Sequence, residues 1–303
     1  MDEVLGVVAK LAVFTFILTS MLAMGMSLTI AQIVAPLKSV KVVLLALLAN
    51  FILAPALAYG LTLVIPLSDG LATGLIISGA AAGAPFLPKL VQLAKGNTAY
   101  SVGLMTLLMV VTVVFLPIAL PILLPGASVS PWDIAKSLIV MMLLPLAIGL
   151  FVKARWEPTA EHLQPIMSRA SSVTIMLGLV AILVLQFSTI IDTFGTGGIA
   201  AALLFLVGSV AIGLLLGGKD PGMRSVMGLG TGQRNLSAAM LVAAQNFSED
   251  AQVLGMVMVI GVLGLILLGV VSGEMGKRAG NRAPASSPGS GKPATSSASG
   301  GAS

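Results

Sequence analysis

The sequence predicts an all-α integral membrane protein of about nine transmembrane helices, two of them broken near mid-span. Three observations carry that prediction: an apolar, charge-poor composition, a one-sided distribution of basic residues between apolar runs, and two runs interrupted by glycine, proline and polar residues. Of 303 residues, 57% are apolar and 9% charged, whereas soluble globular domains carry about 25% charged residues. So few charges cannot cover a water-exposed surface, and the bilayer is the solvent that fits. The net charge of +5 resides in short loops and a tail, which argues against a nucleic-acid partner. With no cysteine and a single histidine, His162, disulfides, thiolate chemistry and spaced His/Asp/Glu metal clusters are not expected.

A helix needs roughly 20 residues to cross the hydrocarbon. Apolar runs of about that length lie near 4–28, 42–66, 70–95, 99–124, 134–153, 170–191, 195–217, 223–247 and 251–273. The first follows Met-Asp-Glu, lacks the basic n-region of a secretory signal and reads as a permanent span. Residues 1–278 are thus expected to form the transmembrane domain. Residues 279–303 are rich in Gly, Ser, Ala and Pro, cannot bury enough apolar surface to fold, and are expected to be a disordered cytoplasmic tail.

Charge sets the orientation. With the N-terminus outside, Lys38, Lys41, Lys95, Lys153, Arg155, Arg169, Lys219, Arg224, Lys277, Arg278, Arg282 and Lys292 fall inside, and Lys136 alone among bases lies in an outside loop. Asp2, Glu3, Asp69, Asp133, Asp192, Glu249 and Asp250 fall outside. This bias predicts a multi-pass cell-membrane protein with its C-terminus in the cytoplasm. Lys10 is near enough to the outer end of its span to reach the headgroups.

The third span contains Ser78-Gly-Ala-Ala-Ala-Gly83-Ala-Pro85-Phe-Leu-Pro88-Lys89, and the eighth contains Gly228-Leu-Gly230-Thr231-Gly232-Gln233-Arg234-Asn235-Leu-Ser237. Proline removes a backbone donor and clashes with the preceding turn. Gly83, Pro85 and Pro88 in one run, and Gly230 and Gly232 in the other, are the expected breaks. Irregular backbone at membrane depth survives only inside protein or along a wet cavity. Paired broken helices in two halves of a chain point to the binding site of a secondary transporter. The two run in opposite directions, which suits an inverted repeat of helices 1–4 and 6–9.

Arg234 is ten residues from Arg224, roughly 15 Å at helical rise, and so too deep to snorkel. No acidic residue falls within the middle of a span, so its partners are backbone carbonyls, water or an anionic ligand. Lys89, six residues from Lys95, either snorkels or lines the site. Exposed N-termini of half-helices add positive potential. The expected substrate is an organic anion, with Arg234, Asn235, Gln233, Ser237 and Lys89 as binding candidates.

The runs Gly25-Met-Ser-Leu-Thr29, Leu37-Lys38-Ser-Val-Lys41, Asn50-Phe-Ile-Leu-Ala-Pro55-Ala-Leu-Ala-Tyr59 and Leu93-Ala-Lys95-Gly96-Asn97 together resemble the bile acid:sodium symporter family over about residues 4–273. The resemblance implies a core and a panel domain, two broken helices crossing in the core, transport of bile acids or small carboxylates, and the absence of the first helix of ten-helix members. It also implies sodium sites, most of whose ligands do not match. The family's Ser-Asn pair falls on Leu87 and Pro88. Its Glu-x-Gly-x-Gln-Asn motif places Gly230 at the Glu and Arg234 at the Gln, or Gln233 with a one-residue gap. Ser101 matches a sodium-site oxygen, Met105 replaces the next, and Asn235 matches the substrate-contacting Asn. Ser101 and Gln233 are therefore remnants of an ion site. No cofactor is expected, sodium binding is not favoured, and Arg234 is expected to stand in for the ion.

Other classes fit less well. Related arsenite permeases use a cysteine that this chain lacks. An intramembrane enzyme would need a histidine or carboxylate pair at depth. A channel would need a continuous polar stripe, and the serines and threonines read as scattered. A sodium symporter rearranged around Gln233 and Ser101, and a non-transporting membrane sensor, are the alternative readings.

Overall fold

The computed structural model describes residues 2–34, 39–124, 130–185 and 197–282, and every regular element among them is a helix. Loop positions Lys38 and Asp192, the ends of spans 6 and 7 that face each other, and residues 283–303 of the expected tail lie outside the described residues.

The chain opens with α1 (Asp2–Ser27) and the short α2 (Ile30–Val34). Helix α3 (Val40–Val64) contains a π turn at Ala49–Leu53. Its cause is local: Pro55 has no N–H for the carbonyl of Phe51, and the ladder slips by one residue ahead of it. Next come α4 (Asp69–Ala80), α5 (Leu87–Leu93) and α6 (Thr98–Leu123). Helix α7 (Pro131–Arg155) repeats the device, with a π turn at Ile139–Leu143 immediately before Leu144-Pro145. It is followed by α8 (Glu157–Leu185), α9 (Gly198–Leu216), α10 (Pro221–Gly232), α11 (Leu236–Asn246) and α12 (Ala251–Arg282).

Among the described residues, six helices are each long and apolar enough to cross a bilayer: Leu5–Ser27, Val40–Val64, Thr98–Leu123, Pro131–Arg155, Gly198–Leu216 and Ala251–Asn281. The chain is an all-helical, multi-pass membrane protein. Two stretches differ from the sequence reading. Residues 154–169, expected as a loop, are helical except for Trp156, because α8 begins at Glu157. Helix α12 runs past residue 279 to Arg282, with Arg278 Nε donating to Glu274 Oε1 one turn back at 2.9 Å.

Helix α1 packs along α8 and α7, α9 along α10, and α12 along α4. In lipid there is no hydrophobic drive between helices, so close backbone approach and dispersion must supply it. Gly25 and Gly149 meet reciprocally: a Cβ on Gly25 would strike the Leu146 carbonyl, and one on Gly149 the Leu22 carbonyl. Gly213 lets α9 lie against the Met227 carbonyl of α10 in the same way. Buried Ile17, Met21, Leu104, Leu108, Val226 and Leu229 belong to one continuous apolar cluster around the broken helices.

Candidate functional site

The chain leaves helical geometry twice at depth. Helix α4 ends at Ala80, and residues 81–86 run extended and then turn into α5. Gly83 takes φ +79, which only glycine adopts cheaply, and a Cβ there would lie on the Met109 backbone nitrogen of α6. Pro85 sits within the break. Pro88 does not break the helix but starts the next one, as the second residue of α5, where a missing N–H costs nothing. In the other pair the helix continues through both Gly230 and Gly232. These glycines are packing positions: a Cβ on Gly230 would be 3.2 Å from Leu87 Cδ2, and one on Gly232 would strike Val210. The unwound residues there are Gln233 and Arg234, after which Asn235 caps α11 by accepting from Ala238 N–H at 3.1 Å.

The two breaks are fastened to each other. The Asn235 backbone N–H donates to the Ala81 carbonyl, and its Nδ2 donates to the Gly83 carbonyl, both at 3.0 Å. From α6, Thr112 clasps the same strand: it accepts from Ala82 N–H at 3.0 Å and donates to the Ala82 carbonyl at 2.9 Å. Both are fully buried. The Ala81, Ala82 and Gly83 carbonyls and the Ala82 and Asn235 N–H groups of the unwound backbone are thereby paired away from water.

Arg234 fills the crossing and is 7% exposed. Its Nε donates to the Ser78 carbonyl at 3.0 Å and its Nη2 to the Gly79 carbonyl at 2.6 Å. Its Nη1 donates to the Thr231 carbonyl at 2.9 Å and to Asn50 Oδ1 at 3.1 Å. Ser78, Gly79 and Thr231 lie in the last turns of α4 and α10, whose carbonyls have no intrahelical donors. Each such end carries about half a negative charge. The guanidinium thus neutralises two converging helix C-termini, with the Phe205 ring 5.9 Å from its Cζ. No acidic side chain pairs with it among the described residues.

Sequence reasoning placed Arg234 at the site and named backbone carbonyls among its possible partners, but missed Asn50. Asn50 reaches the guanidinium from the π turn of α3, with its Nδ2 donating to the Ala46 carbonyl at 3.0 Å. A lone Asn in an apolar run five residues before Pro55 was the available signal. Thr112 carries none, since a threonine among aliphatic residues reads as any other. Of the two candidates for substrate contact, Arg234 directs four of its five side-chain N–H donors at the protein itself and Asn235 one of its two. Leu87 and Pro88, aligned with the family's Ser-Asn pair, lie in the first turn of α5 beyond the crossing, where Ala81 and Gly83 stand instead. Ser101 donates to the Thr98 carbonyl near the start of α6, roughly 16 Å of helical rise from Thr112.

Against the crossing lies a cavity of about 730 Å³, between the α1–α8 pair on one side and the broken helices with α12 on the other. Gln233, Arg234, Ser237 and Lys89 line it. Among the described residues, Gln233 Oε1 and Ser78 Oγ find no hydrogen-bond partner where they are buried beside the cavity. Ser237 belongs to the first turn of α11, and Lys89, Gln92 and Thr98 also line the cavity. The charged residues among its described lining are Lys89 and Arg234, so its field is positive. Among the described residues no group of His, Cys, Asp or Glu could hold a metal ion.

The sequence is similar to those of several known membrane transporters. A probable sodium/metabolite cotransporter of Arabidopsis thaliana, BASS3, chloroplastic, is 26% identical over 258 residues, covering 82% of this chain and 59% of its own length. The uncharacterized sodium-dependent transporter YocS of Bacillus subtilis is 27% identical over 169 residues, 53% of this chain and 51% of its own. A rice protein, the probable sodium/metabolite cotransporter BASS2, chloroplastic, is 26% identical over 205 residues, 65% of this chain and 47% of its own. The chain spans less than two thirds of the length of each. The profile described as the Sodium Bile acid symporter family matches residues 14–193, more than half of the sequence. With two broken helices crossed at a positively charged cavity, the chain belongs to the sodium bile acid symporter family.

Proposed function

We propose that this chain is a secondary transporter of an organic anion, a bile-acid-like or small carboxylate, that works by alternating access with Arg234 in place of bound sodium. The observation that carries the reading is the guanidinium among the Ser78, Gly79 and Thr231 carbonyls. Sodium is a hard ion that seeks such oxygens. Here a covalently fixed cation already engages them. A second unit charge about 4 Å away would be opposed by about 4 kcal/mol at an effective dielectric of 20.

Reading α8 and the two broken pairs as further spans gives nine, with the N-terminus outside and the C-terminus in the cytoplasm. Helices α1, α7 and α8 then form a panel and the remainder an inverted-repeat core that rocks against it. The extensive packing of α1 on α7 and α8 supports this division, with α11 the half of a broken pair that both α1 and α7 touch. The anion enters the cavity, drawn by Lys89 and the guanidinium field, and rests on Gln233, Ser237 and the N-terminal turn of α11. The family's chemistry is transport, and no enzymatic step is assigned.

The relatives' names favour a second reading, sodium coupling, for which we propose a site rearranged around Gln233 and Ser101; Gln233 Oε1 has no hydrogen-bond partner among the described residues. Uptake of labelled carboxylates into proteoliposomes separates the two. Uptake unchanged when external sodium is replaced by potassium supports the proposal. Uptake that requires a sodium gradient refutes the role given to Arg234, and no uptake of any carboxylate refutes transport.

A further inference from the structure

A second open space, of about 710 Å³, lies in the groove between α5 and the C-terminal half of α12. Leu93, Lys95 and Gly269 line this groove and not the central cavity, and its described lining includes no acidic residue. Leu93 is 53% exposed. A Cβ on Gly269 would meet nothing within 4 Å, so an apolar slot is left open along α12. The slot closes where the two helices touch, since a Cβ on Gly276 would strike the Leu93 carbonyl.

Lys95 is held at the end of this slot by its backbone. It follows the last turn of α5 with φ +55, and no other non-glycine residue among the described residues has a positive φ. Lys95 N–H donates to the Gln92 carbonyl at 3.0 Å and Gly96 N–H to the Val91 carbonyl at 2.9 Å. That pair of bonds closes a helix end whose left-handed residue is usually glycine. A lysine that merely reaches the headgroups needs no such backbone. Here the turn aims the side chain across at α12, where a Cβ on Gly280 would lie 2.8 Å from Lys95 Nζ. Lys277, exposed and three residues before Gly280, is its neighbour on the helix surface. Neither lysine has an acidic partner among the described residues, whereas the adjacent Arg278 is paired with Glu274. From Gly280 back to Gly269 the groove covers roughly 16 Å of helical rise, about half the thickness of the hydrocarbon.

We propose that this groove is a binding site for one anionic phospholipid of the adjoining leaflet. Its phosphate sits between Lys95 and Lys277, and one acyl chain lies along Leu93 and Gly269. The uncompensated positive charge selects an anionic headgroup, and the apolar slot selects a lipid over a soluble anion. The site is separate from the central cavity and does not depend on the substrate assigned there.

The test titrates the purified full chain in detergent with phosphatidylglycerol or phosphatidylcholine of identical acyl chains, read by native mass spectrometry, with melting as a second readout. At about fivefold per lysine beside an anionic lipid, phosphatidylglycerol binds at least about tenfold tighter than phosphatidylcholine. The K95G/K277Q variant abolishes that preference. It folds, because glycine suits the φ of Lys95, and its lipid-free melting checks this. Gly269→Leu fills the slot and weakens phosphatidylglycerol without changing the charge. Lys219→Gln removes an exposed lysine from the α9–α10 turn, outside the groove, and changes affinity less than twofold. Equal binding of the two lipids overturns the proposal. So does a loss in Lys219→Gln matching that in K95G/K277Q, which would assign the effect to diffuse surface charge. Unchanged binding by Gly269→Leu, or inorganic phosphate raising the melting temperature as much as phosphatidylglycerol, would also overturn it.

Discussion

Replacing Arg234 with glutamine removes the cation from the crossing while keeping a polar side chain of shorter reach. Four acceptors lose their donor: the carbonyls of Ser78, Gly79 and Thr231 and the Oδ1 of Asn50. Each buried unsatisfied acceptor costs about 1–3 kcal/mol. Glutamine's own amide and water entering from the adjoining cavity recover part of this. A net loss of about 4 kcal/mol follows, which is roughly 8–16 °C in melting temperature if the chain follows the scaling of large soluble domains. The converging carbonyls are then free for a mobile cation. Wild-type melting in detergent should be the same in sodium and in potassium chloride, whereas Arg234→Gln should melt well below it in potassium and regain several degrees in sodium. Melting of Arg234→Gln at the wild-type temperature in both salts would refute the claim that the guanidinium holds the two helix ends. A low melting point with no sodium recovery would keep that structural role but reject the equivalence with a bound ion.

Three further outcomes follow from the same geometry. Gly83→Ala forces a Cβ into a φ of +79 and onto the Met109 nitrogen, so it should lower stability by at least about 2 kcal/mol and sharply reduce folded yield by size-exclusion chromatography; wild-type yield would show that the break can re-form elsewhere. Thr112→Val keeps shape but strips both bonds from Ala82, costing about 2–4 kcal/mol, while Thr112→Ser should restore melting and uptake; an unchanged Thr112→Val would mean that water replaces the clasp. Lys89→Gln, at an exposed position of the cavity wall, should leave melting unaltered and raise the KM for anion uptake about three- to tenfold, with the difference shrinking at high ionic strength; an equal KM would assign Lys89 to the membrane surface.

Fold class was legible because the bilayer imposes a severe rule on the sequence. Each span must be about 20 residues of apolar chain, and runs of that length could be counted without coordinates. The breaks were legible in position, since Gly83, Pro85 and the run from Gln233 to Asn235 cannot sit in an unbroken lipid-facing helix. Their inner workings were not. Gly230, Gly232 and Pro88 look like breakers but serve packing and helix initiation, because a glycine's or proline's role depends on which neighbour is close and which end of the helix it occupies.

The sequence by itself determined that a buried positive charge had to exist at Arg234 and that no carboxylate at the same depth could answer it. Only the tertiary structure decided what does answer it: the Ser78 and Gly79 carbonyls and Asn50, each more than 150 residues away in the chain, together with the Thr231 carbonyl one turn back. Backbone carbonyls are present at every position and carry no letter in the sequence, so their convergence is a property of the crossing alone. The same holds for the polar residues of α8 that line the cavity. Periodicity aligns Gln164, Ser168, Ser171 and Ser172 on one face, but only the packing of α8 beside α1 turns that face toward the cavity.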